Sequence, residues 1–197
     1  MKTTRFIFFL GLMLLATIAL LVSGTRSSAQ DGTKLKKSIF IQAQAMGQQQ
    51  QMGRNFSVNI IIEEFSTADD QKALLEAFNQ KQNEGLVNAL SKMKSKGRIS
   101  ITGTLGYDVN YIRQFPMPDG GRKIRLVTDR PITFGEAWSD SRSLDYNLSG
   151  AEIILSADKK NNSGMLVPAC QFKIDKENHL QLELLRNEWK LVNVRLR

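Results

Sequence analysis

The sequence predicts an α+β domain made of one strand, a two-helix segment, and then a mostly antiparallel β-sheet or sandwich. Three observations predict it. Asn55 to Phe65 places Phe56, Val58, Ile60 and Ile62 at period two, the spacing of a strand with one buried face. Leu74, Leu75 and Phe78, and after them Leu86, Leu90 and Met93, recur at helical spacing. From Arg98 onward, apolar residues alternate in short runs separated by turn chemistry, as antiparallel strands with short links do.

Taken in order, the chain opens with Lys2 and Arg5 ahead of Phe6 to Val22, a run with no charge and only Gly11 and Thr17 outside the apolar set. That is the layout of a signal peptide, and Ser27 and Ala29 supply the small residues for cleavage after Ala29. An uncleaved membrane anchor is the alternative, because the run approaches the ~17 residues that can span a bilayer. Residues 30–53 read as a flexible polar and Gln-rich linker, with Ser38 to Met46 alternating weakly in the manner of an edge strand. Glutamine runs bury too little apolar surface to offset their ordering entropy. The folded unit is therefore expected at residues 54–197.

Ile61 lies on the opposite face of the first strand from Ile60 and Ile62, so that strand is expected to be covered on both sides. Ser66 or Thr67 is placed to cap the first helix, with Asp69 and Asp70 in the turn where negative charge suits the dipole. The apolar stripe breaks at Gln82 to Gly85, which predicts two helices joined by a kink, and Lys92, Lys94, Lys96 and Gly97 read as the end of the second. Tyr107 to Leu126 then reads as a hairpin around Pro118-Asp-Gly-Gly121. Ala151 to Ser156, Met165 to Ile174, His179 to Leu185 and Glu188 to Leu196 complete the strands.

Charge and composition exclude several classes. The chain carries 27 basic and 19 acidic residues; loss of Lys2, Arg5 and Arg26 with the signal leaves 24 against 19, a net +5. The positives are scattered, without the single basic face that nucleic acid requires, and they read as a solvated surface. Cys170, the only cysteine, has no disulfide partner and is expected to be a small buried hydrophobe. With His179 the only histidine, paired-histidine zinc motifs are impossible; it is expected to be an exposed side chain at a strand start. Gly97 to Gly106 lacks the spacing of a phosphate loop, and Lys160 stands where a calcium loop from Asp158 needs its second ligand. No catalytic residue, metal site or cofactor is assigned.

The stretch that strand and turn logic does not absorb is Asp129 to Tyr146, which gathers Glu136, Trp138, Asp140, Arg142, Asp145 and Tyr146 in a long connection. Such connections carry binding residues. These six are the candidate binding residues, and the alternative gives Trp138 and Tyr146 to the core.

Gly-Arg-Ile at 97–99, Leu-Gly-Tyr-Asp at 105–108, Pro-Asp-Gly-Gly at 118–121, Thr-Asp-Arg-Pro-Ile at 128–132, Glu-Ala-Trp at 136–138, Leu-Asp-Tyr at 144–146 and Val-Asn-Val-Arg at 192–195 occur in that order. The pattern resembles a group of exported bacterial proteins of unknown function over most of residues 55–197. The resemblance implies a bacterial source and a periplasmic or extracellular home, and it carries over no activity. The expected function is a non-enzymatic binding or interaction module whose partner is a protein or small molecule. The alternatives are a carboxylate-dependent hydrolase using Glu136 with Asp140 or Asp145, and a structural domain tethered to the membrane through the N-terminal segment.

Overall fold

The computed structural model describes residues 34–133, 146–183 and 188–197. Its elements are β1 (Lys34–Gly47), β2 (Asn55–Glu64), α1 (Ala68–Leu90), β3 (Gly97–Ile101), β4 (Tyr107–Val109), β5 (Tyr111–Pro116), β6 (Arg122–Thr128), β7 (Leu148–Leu155), β8 (Ser163–Ile174), β9 (Leu180–Glu183) and β10 (Trp189–Leu196). The order across the sheet is β4, β3, β2, β1, β10, β8, β7, β6, β5, with β9 added beside β8. All pairings are antiparallel.

The two ends of this order are consecutive in the chain, because Asn110 alone separates β4 from β5. The sheet therefore has to curl until its ends meet, and it forms a nearly closed barrel. At the joint the alternation slips: Val109 and Ile112, three apart, both enter the barrel core, and Tyr111 turns outward. The Asn110 N–H donates to Val127 O at 3.1 Å, tying the joint to β6. A second slip lies at Asn193 (φ 52°), so that Leu191 and Val194 both point inward. Such bulges bend strands and tighten twist, as closure requires.

The strand β1 corrects the expectation of a linker over residues 30–53. It lies between β2 and β10 and pairs with both. Ile41, Ala43 and Ala45 face inward and are buried, while the glutamines between them face out, where Gln44 Nε2 donates to Asn55 Oδ1 (3.4 Å) and Asn193 Nδ2 donates to Gln44 Oε1 (3.5 Å). The glutamine run itself is a tight 3-10 turn, Gln49–Gln51, closing the β1–β2 hairpin.

Side chains from β1 to β8 and from β10 fill the barrel interior, among them Ile41, Val58, Ile60, Ile99, Val109, Ile112, Ile124, Leu126, Ile153, Leu166 and Trp189, with Phe65 and Ile132 entering after β2 and β6. A second apolar layer lies outside the barrel. Leu74, Phe78, Leu86 and Leu90 of α1 pack there against Tyr111, Val127, Leu148, Val167, Cys170, Phe172, Leu180 and Leu182. The helix thus covers β5 to β8, and β2 is not covered on both sides as expected, since its outward Ser57 and Glu63 are exposed. Gly150 makes this layer possible, since a Cβ there would come within 2.3 Å of the Leu182 side chain.

One kinked helical element replaces the two expected helices. Lys81 and Gln82 have non-helical dihedrals inside Ala68–Leu90, and Gly85 then packs so close to the first half that a Cβ would lie 2.0 Å from Ala77 O. The kink places Asn83 beside β8, where its Oδ1 accepts from Phe172 N–H (2.7 Å) and its Nδ2 donates to Phe172 O (3.2 Å). Thr67 caps the helix in a capping box with Asp70. The lysines do not end it: α1 stops at Leu90, Gly97 belongs to β3, and Lys96 is buried. Cys170 is buried without a partner, and burial pushes its thiol well above the usual range.

The Lys96 ammonium bridges Glu64 at the end of β2 (2.9 Å) and Asp70 in the first turn of α1 (3.1 Å). Burial alone would raise the Asp70 carboxyl; the Thr67 N–H and the Lys96 ammonium outweigh it and hold it below the usual value. Burial likewise opposes the charge on Lys96, but the two carboxylates raise it. Asp70, lowered when folded, adds stability above about pH 4 that is lost as pH falls through its folded value; Lys96, raised, adds stability that persists until pH rises past about 10. Lys96→Met should therefore cost ~2 kcal/mol near neutrality, less than the ~3 to 5 kcal/mol of a fully buried pair, because the acids keep 25% and 23% of their surface in water. Urea unfolding of both proteins checks this; the gap should shrink near pH ~3, and a gap of unchanged size there would contradict the assignment.

Candidate functional site

The six candidate binding residues fall mostly beyond reach of the geometry. Glu136, Trp138, Asp140, Arg142 and Asp145 lie outside the described residues, as does the cleavage position after Ala29; Tyr146 is described and half-buried. Both roots of their connection are firmly held. Ser149, fully buried, accepts from Ile132 N–H (2.5 Å), and its Oγ lies within hydrogen-bond reach of Arg130 O (3.0 Å) and Pro168 O (2.5 Å). The Tyr107 hydroxyl accepts from Thr133 N–H at 2.9 Å. Because Thr128 pairs with Ser149, the connection leaves from the end of the barrel where β6 finishes and β7 starts.

Chemistry-bearing side chains converge instead at two other places. The first is a cleft of about 480 Å³ on the outer face, between β5 to β7 and the β8–β9 turn, lined in part by Phe115, Lys123, Arg125, Glu152, Asp175 and His179. Strand alternation sends Lys123 and Arg125 outward on β6, and the register places Arg125 between Arg113 and Glu152. Arg125 Nε and Nη2 both lie 2.6 Å from Glu152 Oε1, and its Nη1 donates to Leu180 O. The Arg125 guanidinium is also 5.1 Å from the Phe115 ring centre, and Lys123 Nζ is 5.7 Å from it.

His179 is half-buried, which corrects its expected exposure: its ring meets Phe115 edge to face at 5.0 Å, and Nδ1 lies 3.7 Å from Asp175 Oδ1. Asp175, Glu177 and His179 hold possible metal-ligand atoms within 4.8 Å of one another. Asp175 Oδ1, however, already accepts the N–H groups of Glu177 (3.1 Å) and His179 (2.8 Å), so the arrangement is that of the turn itself. Next to this cleft, Tyr111 Oη and Arg113 Nε are buried with no hydrogen-bond partner among the described residues. Burial pushes the Tyr111 phenol up to about 12, against the pull of Arg113 and Arg125.

The second place is a cleft of about 630 Å³ at the start of β6, where Arg122 pairs with Leu155, the end away from Thr128. Its lining includes Arg122, Leu155, Asn162, Val194, Arg195 and Leu196, and Gly120 and Gly121 of the β5–β6 turn form one edge. Leu155 and Val194 are buried and give it an apolar floor. Asn162 braces the wall, accepting from Ser156 N–H (3.0 Å) and donating to Val194 O (3.3 Å). Arg122 was legible as unusual in the sequence, since it shares a strand face with Ile124 and Leu126, yet it read there as one more scattered positive charge.

The outer cleft is accounted for by structure alone, as a buried ion pair that anchors β9 over β6 and β7. Arg125→Met should cost about 3 kcal/mol by leaving Glu152 without its partner, and adding Glu152→Leu should recover most of it. Denaturant midpoints of the single and double variants check this, and a double variant no more stable than the single would assign the pair another role. Comparison with protein-family models, with characterised proteins and with solved structures finds no match to this chain.

Proposed function

We propose that this chain is a non-enzymatic binding module of the bacterial periplasm or cell exterior, a β-barrel that takes a small molecule in the cleft at its mouth. The supporting observation is the 630 Å³ cleft over Leu155 and Val194, a size within the range of small-ligand sites, which favour barrel mouths. The N-terminal charge-then-apolar pattern supports export. Glu136 with Asp140 or Asp145, the hydrolase alternative, draws no support from the described geometry. Among the described residues, neither cleft is lined by a cysteine, and the one serine at the mouth, Ser156, has no histidine among its lining neighbours.

Ser156 is the position from which to test the mouth, because its backbone N–H, and not its side chain, carries the bond to Asn162. A neutral fluorescent probe such as N-phenyl-1-naphthylamine should bind the purified chain saturably. Ser156→Trp should abolish that binding while moving stability by ~1 kcal/mol, the usual size of a single substitution, since Ser156 is only half-buried. Equal probe binding by the variant would remove the mouth as the site.

A further inference from the structure

Beyond whatever the cleft holds, we infer that the part of the mouth's rim formed by β1 and β10 is a docking surface for a bilayer of anionic phospholipid. Cations that lie far apart in the sequence meet there. Lys34, Lys36 and Lys37 stand at the start of β1, and Arg195 and Arg197 at and just after the end of β10; all of them are exposed. The register brings the two groups to one place, since Ile41 of β1 pairs with Leu196 of β10 and Arg197 N–H donates to Phe40 O at 2.9 Å. Neither strand contains an acidic residue. Of the two acids at the neighbouring end of β2, Glu64 is already bound to Lys96. At their opposite ends β1 and β10 offer Lys190 as their one cation.

Lysines on an open strand edge serve to keep other strands away, and among the described residues β1 has no β10 partner before Phe40. That purpose explains Lys36 and Lys37, but not Arg195, Arg197 or the apolar residue between them. Leu196 keeps 42% of its surface in water, and Leu35 and Ile39 of β1 are only half-buried. Cations around an exposed apolar side chain suit a bilayer, which presents phosphate heads first and hydrocarbon beneath them; a soluble acidic polymer has no hydrocarbon to offer. The topology points the same way. β1 begins at this rim, and residues 23–33, eleven in all, separate Lys34 from the apolar run of Phe6 to Val22. A membrane that receives that run, as signal peptide or as anchor, meets this rim of the barrel first.

The test is co-sedimentation of the exported chain with vesicles of phosphatidylcholine, with and without phosphatidylglycerol. The anionic vesicles should take up several-fold more chain than the neutral ones, and the difference should shrink as salt screens the charges. Lys36→Gln, Lys37→Gln and Arg195→Gln together should weaken binding to the anionic vesicles by about a hundredfold, at roughly fivefold for each cation near the surface. Leu196→Ser should weaken it several-fold at every salt concentration. Arg54→Gln with Lys190→Gln, which removes charge at the far ends of the same strands, should leave it unchanged. Unaltered unfolding midpoints show that the variants are folded. Equal uptake by the two kinds of vesicle, an equal loss per charge at the rim and at the far end, or polyglutamate binding the chain as tightly as the anionic vesicles do, would overturn the assignment. None of these outcomes depends on the probe or on the cleft.

Discussion

The constraint on which the rest depends is a single residue of slack. Asn110 alone joins the strands at the two ends of the sheet order, so an open sheet is geometrically unavailable to this chain. Closure decides where everything else goes. It creates an interior, which the inward side chains fill, and a mouth, where strand ends and turns leave a cleft. It also brings the two end strands, β4 and β5, together at one joint. With the interior filled by Ile, Val, Leu and Trp189, α1 has no place inside and packs on the outer face, where Gly150 and the kink at Lys81 and Gln82 let it approach.

Charge is distributed by the same geometry. Lys96 stands where the end of β2, the start of α1 and the approach to β3 meet, and its two carboxylates make that junction a satisfied one. Arg125 is satisfied by Glu152 across the strand pair. Arg113, buried as deeply, has no carboxylate partner among the described residues, and its guanidinium donates to Ser66 O instead.

Much of the fold was legible in the sequence because strong periodicity survives any tertiary arrangement. The β2 run, the Thr67 cap, the Pro118 to Gly121 turn and the last four strands stand close to where alternation and turn chemistry put them. What was illegible has physical causes. β1 reads as no more than a weak edge strand within a linker because alanine and glutamine carry little hydrophobic signal, although Ala43 and Ala45 suit a crowded interior. Barrel and sandwich share one pattern of alternation, and only the phase slip between Val109 and Ile112 separates them. The mouth was missed because its residues come from three separate parts of the chain, Gly120 to Arg122, Leu155 to Asn162 and Val194 to Leu196, none of which forms a motif. The connection that did look like a site, Glu136 to Tyr146, draws attention by composition, and composition carries no geometry.

Residue-resolved amide hydrogen exchange across β1 tests most directly whether this strand joins the two halves of the barrel wall. A strand paired on both sides has every amide bonded, an edge strand has alternate ones, and a linker has none. The account predicts that successive amides from Ile41 to Ala45 are protected to the same degree as those of Ile60 and Ile62 in β2. Alternating protection along β1, or exchange as fast as in the Asp158 to Asn162 turn, would contradict it.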